Sequence, residues 1–178
     1  MRIGNDNDKD MTIKERFLLW LIRPERYYIR KYLLFLRNEE KYLFVKPNNL
    51  LALWYRARKN RLGSRLGFII NAGCFGEGLI LWHYGSVIVN PRARIGKNCQ
   101  IHGNCCIGNL RPDSQDSPII GNNVDIGQGA QVLGGIHIAD GVRIGAGAIV
   151  INDILTPNVT VVGVPGKVAN HSNNRAVL

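Results

Sequence analysis

Residues 120–150 read IGNNVDIGQGAQVLGGIHIADGVRIGAGAIV, and an aliphatic side chain returns at every sixth position: Ile120, Ile126, Val132, Ile138, Ile144 and Val150. A second row runs two positions ahead of it, as Val124, Ala130, Ile136, Val142 and Ala148. An α-helix repeats at about 3.6 residues and a coiled coil at about 3.5, so neither produces this interval. A flat strand alternates at two and gives no reason for Gly121, Gly127 and Gly145 to follow the aliphatic residue. A hexapeptide repeat of this kind marks a parallel β-helix, in which three strand-and-turn units close a triangular coil of roughly eighteen residues.

The same double row stands upstream, as Val89, Ile95, Ile101 and Ile107 with Val87, Ala93, Cys99 and Cys105. From Ile107 to Ile120 the interval is 13 residues, which is not a multiple of six, so a segment must leave the coil. Residues 109–118 (NLRPDSQDSP) are polar, hold two prolines and are expected to protrude. Residues 79–168 then supply four to five coils, with 161–168 (VVGVPGKV) as a closing strand and turn. Residues 62–78 (LGSRLGFIINAGCFGEG) read as a Gly-rich lead into the repeat.

The chain has 178 residues, enough for one domain and a short extension. Its net charge of +10 is unevenly placed. Residues 1–66 hold 16 Lys and Arg against 7 Asp and Glu, whereas 67–178 hold 7 against 6. Residues 12–61 carry apolar clusters at helical spacing, with Pro24 and Pro47 at the expected starts of two to four short helices. Residues 1–11 read as disordered. The organisation expected is a basic α-helical segment over 1–66, a β-helix over 67–170 and a tail over 171–178. The four cysteines form no metal-ligand spacing, so no metal is expected, and Cys99 and Cys105 fall in the inward row as small buried hydrophobes. No signal-peptide pattern opens the chain, and the apolar run 17–22 is too short to span a bilayer. A cytoplasmic location is the expectation.

The pieces FGEGLILWHYGS, IGKNCQIHGNCCIG, IIGNNVDIGQGAQVLGGI, VRIGAGAIVI and VVGVPGKV, within residues 75–168, together resemble the hexapeptide-repeat acyltransferases, most closely their serine acetyltransferase branch. The resemblance implies a left-handed parallel β-helix, a homotrimer with sites between subunits, and acyl transfer from acetyl-CoA.

His83 is the expected catalytic residue. Its spacing from Val89 and Ile95 puts it in their register slot, where it breaks the aliphatic row. A base of near-neutral pKa suits an alcohol that must lose its proton while attacking a thioester. The resemblance places His83 at the family's catalytic His, with Trp82 where the family carries Asp and Tyr84 following. His102, one coil and one position further on, is a candidate for substrate binding or proton relay beside Trp82 and Tyr84. His137 and His171 read as surface residues.

The family holds its amino acid with an Arg-His-Pro sequence in the protruding loop. Here Asp116, Ser117 and Pro118 stand there, and the family's upstream Asp aligns with Phe68. With those charges absent and a Trp-His-Tyr triplet present, the acceptor is expected to be a sugar hydroxyl in surface-polysaccharide (capsule or O-antigen) synthesis. Serine O-acetylation in cysteine synthesis and a non-catalytic β-helix scaffold are the alternatives. For acetyl-CoA, the resemblance points to Gln128, Ala146 and Asn152, with Lys167 near the nucleotide phosphates. The basic N-terminal segment admits three readings: a cap on the open end of the coil, a peripheral contact with the inner membrane face, and nucleic-acid binding through counterion release. Nucleic acid is not expected, because no recognition motif accompanies the charge.

Overall fold

The computed structural model describes residues 12–22 and 24–169, so the readings made for 1–11, His171 and the tail 171–178 lie outside the described residues. The six-residue repeat turns a corner after each short strand, and stacked coils line the strands up into three faces. The first face holds β1 (Phe68–Ile69), β3 (Val87–Val89), β6 (Cys106–Gly108), β9 (Gln131–Leu133) and β12 (Ile149–Val150). The second holds β4 (Arg94–Ile95), β7 (Ile119–Ile120) and β10 (His137–Ile138). The third holds β2 (Ile80–Leu81), β5 (Gln100–Ile101), β8 (Asp125–Ile126), β11 (Arg143–Ile144) and β13 (Thr160–Val162), and ends on β14 (Lys167–Val168). Pairing is parallel throughout except between β13 and β14, which form the closing antiparallel hairpin. The architecture is mainly β, a left-handed parallel β-helix with a short α-helical N-terminal part.

Register accounts for the loop. Ile149 pairs with Gln131 and Arg143 with Asp125, one 18-residue coil apart. Val132 pairs with Ile107, and the seven residues beyond a regular coil are taken up by the loop 109–118. Both aliphatic rows point inward and are buried from Val87 to Val150. Burying each Ile or Val of the rows stabilises the coil by about 1.5–3 kcal/mol before ordering costs.

The coil starts earlier than the repeat at residue 79 indicates. β1 pairs with β3, Phe75 bridges to Ile95, and Phe68, Ile70, Cys74, Phe75 and Leu79 are buried in the same core. Large apolar side chains fill this first coil without six-residue spacing, which is why its sequence reads as a lead.

Three helices precede it: α1 (Ile13–Ile22), α2 (Glu25–Glu40), which runs on into a π-helical turn over Lys41–Val45, and α3 (Asn49–Leu66). Pro24 stands at the N-cap position of α2 without a side-chain capping bond, whereas the Asn48 side chain caps α3 by accepting from the Leu51 N–H at 3.0 Å. α3 extends through residues expected in the Gly-rich lead. Gly63 lies in its interior because no side chain fits there: a Cβ would stand 2.5 Å from the Phe68 carbonyl oxygen and 3.0 Å from the Tyr32 ring. Gly67 ends the helix at φ 82°, a conformation that favours glycine.

α2 lies on the first coil. Ile29, Tyr32 and Leu36 join the β-helix core, with Tyr32 edge-on to Phe68 at 5.2 Å. Its C-terminal end grips the segment before β2: Arg37 donates to the carbonyls of Phe75 and Gly76, and Glu40 accepts from the Gly73 N–H at 2.9 Å. Between α2 and α3 a buried ion pair joins Lys59 Nζ to Glu39 Oε2 at 2.8 Å. Arg56 reaches the other Glu39 oxygen at 2.8 Å, and Lys59 also donates to the Ile70 carbonyl.

Candidate active site

Along each edge of the prism one corner stacks on the next. Between the third and first faces the regular step from inward residue to inward residue is six, as from Ile101 to Ile107, but from Leu81 to Val89 it is eight. Leu81 is in register with Ile101, so the surplus sits in the corner 82–86. His83 belongs to this enlarged corner and not to the aliphatic row. The inward slot is filled by Leu81, and the His83 side chain is 61% exposed. This corrects the register expected from spacing alone.

The partner of His83 comes from the other end of the fold. Pro24 starts α2 with an extended ψ of 167°, and Glu25 in the first turn faces the corner. Glu25 Oε2 lies 3.4 Å from His83 Nδ1, and Glu25 Oε1 accepts the Tyr84 N–H. Partial burial first, and then the Glu25 charge, push the Tyr84 phenol above its ordinary value. Buried Gly103, one coil up, closes the floor: a Cβ there would stand 2.7 Å from the Tyr84 carbonyl oxygen. Phe68 is buried in the core and takes no part.

Trp82 and His102 occupy equivalent positions after Leu81 and Ile101, and their rings stack at 5.7 Å with a 14° tilt. Trp82 Nε1 donates to Gln100 Oε1 at 3.0 Å, and His102 Nε2 lies 3.3 Å from Asp125 Oδ1. One Trp face is therefore covered by His102.

The backbone ladder Trp82 N–H to Ile101 O, His102 N–H to Ile126 O and Gly127 N–H to Ile144 O runs up one edge. Gln128 and Ala146 sit exposed on that edge, in the two corners above His102. Three coil steps of about 4.8 Å put the Ala146 corner roughly 14 Å above that of His83. Asn152 is on a different edge, between the first and second faces, together with the loop 109–118. Lys167 is exposed on β14 at the end of the coil. A single prism thus gathers His83, Trp82, Tyr84, His102, Gln128 and Ala146, and leaves Asn152 apart.

Sequence reasoning missed Glu25 and Asp125. Glu25 had one signal, a carboxylate directly after the helix-starting Pro24 in a segment dominated by Lys and Arg. Asp125 had none, because any residue is accepted before an inward Ile. No group of three or more His, Cys, Asp and Glu able to hold a metal ion occurs among the described residues. None of their helices is long and apolar enough to cross a membrane.

The three-sided coil is the left-handed β-helix of the serine acetyltransferases among solved structures, which are hexapeptide-repeat enzymes. The chain is similar to a serine acetyltransferase of Synechococcus elongatus, 39% identical over 116 residues that cover 63% of this chain and 47% of the relative. Among solved structures, it is similar to a Neisseria gonorrhoeae serine acetyltransferase in complex with serine (26% identity, TM-score 0.66, covering 93% of this chain and 64% of that one). It is likewise similar to a Brucella abortus serine acetyltransferase in complex with coenzyme A (25% identity, TM-score 0.69, covering 92% and 62%). The chain spans about half the length of the curated relative it matches and under two thirds of these solved chains. No protein-family model matches it.

These likenesses overturn the expected sugar acceptor in capsule or O-antigen synthesis, since they are to serine acetyltransferases. A sugar was expected from the missing charges and from the Trp-His-Tyr triplet, of which Trp82 has one face covered by His102. Carboxylates are in fact present at the corner, brought by α2 and β8 instead of by the positions where the family carries them.

Proposed function

We propose that the chain is an acetyl-CoA-dependent O-acetyltransferase whose acceptor is the hydroxyl of serine. The observation that carries this reading is the position of His83, backed by Glu25, at the foot of the edge that bears Gln128 and Ala146. The likeness to serine acetyltransferases, one in complex with serine and one with coenzyme A, supports the two substrates.

A proton on Nδ1 directed at Glu25 leaves the Nε2 lone pair of His83 as the base. Nε2 takes the serine hydroxyl proton as the oxygen attacks the thioester carbonyl carbon. A tetrahedral oxyanion forms against a backbone N–H donor. Its collapse breaks the C–S bond, the imidazolium returns the proton to the CoA sulfur, and O-acetylserine and CoA leave. Neither a covalent enzyme intermediate nor a metal is required. The serine ammonium needs a carboxylate and its carboxylate needs a cation. Asp125 supplies the first. Arg111, in the loop 109–118, supplies the second when two copies meet.

That meeting is the reason for a homotrimer. Asn152 and the loop share one edge, and His83, Gln128 and Ala146 another. Neighbouring prisms about a threefold axis would join the two edges at one groove. Gln128, Ala146 and Asn152 would line the pantetheine arm across that groove, with Lys167 near the nucleotide phosphates.

The test is thiol release from acetyl-CoA by the purified chain, followed with free L-serine, simple sugars and nucleotide sugars in parallel. Serine-dependent release is expected. Release with sugars alone, or failure to bind CoA in a calorimetric titration, refutes the reading.

A further inference from the structure

Residues 24–66 hold eleven Lys and Arg but three acidic residues, and all three acidic residues are engaged by the fold. Glu25 turns to Tyr84 and His83, Glu39 to Lys59 and Arg56, and Glu40 to Arg37 and Gly73. The outer face of α3 is left without negative charge. Leu50, Trp54, Arg58, Arg61 and Arg65 follow one another by three or four residues, which is a single stripe of a helix, and Leu53 lies beside it. All six are exposed. Arg58 lies over the Trp54 ring at 4.9 Å, and no carboxylate pairs with Arg58, Arg61 or Arg65 among the described residues. The stripe is apolar over its first half and cationic over its second.

We propose that this face of α3 docks the protein on an anionic phospholipid surface. A bilayer interface offers phosphate to the guanidinium groups, a headgroup layer to Trp54 and an acyl boundary to Leu50 and Leu53. A polyanionic nucleic acid would neutralise the arginines but leave the leucines in water. A second copy docked face to face would bring two surplus positive charges of the same sign together. The lipid surface alone satisfies both halves of the stripe, and it does so without any membrane-spanning helix.

Flotation of the full chain with vesicles tests this. Phosphatidylcholine vesicles alone should carry little protein, and phosphatidylcholine–phosphatidylglycerol vesicles most of it, with release as salt is added. The Arg58→Glu/Arg61→Glu/Arg65→Glu variant should lose roughly a hundredfold or more in partition, as three basic residues near an anionic surface imply. Leu53→Ser/Trp54→Ser, which keeps every charge, should also lose most of its binding, while both variants melt like the parent by circular dichroism. Equal flotation on neutral and anionic vesicles, or unchanged flotation of either variant, overturns the proposal. So does tight duplex-DNA binding by the serine variant with no vesicle binding by the parent. Should the triple variant melt early, Arg61→Glu with the salt titration of the parent gives the same decision. No acetyl transfer is measured, so the outcome is independent of the acceptor.

Discussion

Glu25 and His83 stand 58 positions apart in sequence, and their side chains meet at 3.4 Å on an edge of the coil. The contact links the first turn of α2 to the corner proposed to carry the chemistry, and its partner bond to the Tyr84 N–H fixes the backbone beside it. Glu25→Gln keeps the shape and the acceptor oxygen but removes the charge that would stabilise an imidazolium. It should lower kcat for serine-dependent thiol release by about 10-fold or more, with a smaller change in KM. Steady-state kinetics with both substrates varied checks this, and an unchanged kcat would show that Glu25 is only a structural contact.

The Lys59–Glu39 pair is nearly sealed, each side chain being 2% exposed. Removing one partner of such a pair leaves a buried charge uncompensated. Arg56 still neutralises Glu39 when Lys59 is removed, whereas Glu39→Ala leaves the buried Lys59 ammonium with only the Ile70 carbonyl. Glu39→Ala should therefore cost about 3–5 kcal/mol in urea unfolding, and Glu39→Leu with Lys59→Met should recover most of that loss. Equal destabilisation by the single and double variants would argue that the charges are well solvated in the fold.

Burial raises the thiols of Cys74, Cys99, Cys105 and Cys106, with Cys99 pushed up to about 11 from an ordinary 9.0. Above pH 9 the unfolded chain loses thiol protons that the folded chain keeps, so folding is linked to proton retention. The contribution is complete below about pH 9 and is lost as pH rises through about 11. The urea midpoint should therefore fall between pH 8 and pH 11. At pH 8 a thiol reagent should react slowly with the native chain and with all four cysteines once it is unfolded.

Much of the coil was legible because its interior is a simple repeat. A residue at each sixth position that must be aliphatic, from Val89 to Val150, leaves a periodic trace, and the 13-residue gap before Ile120 exposed the loop. The first coil was hidden, since Phe68, Ile70, Phe75 and Leu79 fill it without that spacing. Gly63 illustrates the same limit: its neighbours Tyr32 and Phe68 are distant or across a turn, so the sequence showed a glycine and not the close approach that demands one. The corner of His83 was found by residue type, but its register was misplaced by the two-residue enlargement after Leu81. Glu25 left only the signal of a carboxylate after Pro24, because its meeting with His83 exists only once α2 has packed on the coil, and Asp125 left none, because its contact with His102 depends on the stacking of two coils. The sugar acceptor followed from looking for charges only at the family's positions and from reading the Trp-His-Tyr triplet as a sugar platform, although His102 covers one face of Trp82.

The account rests on His83 as the base on a serine hydroxyl. The most direct measurement is serine-dependent acetyl-CoA consumption by His83→Ala beside the unmodified chain, with CoA affinity measured on both. A loss of at least about 100-fold in kcat with CoA binding and assembly unchanged is the outcome expected. Full turnover by His83→Ala would contradict it.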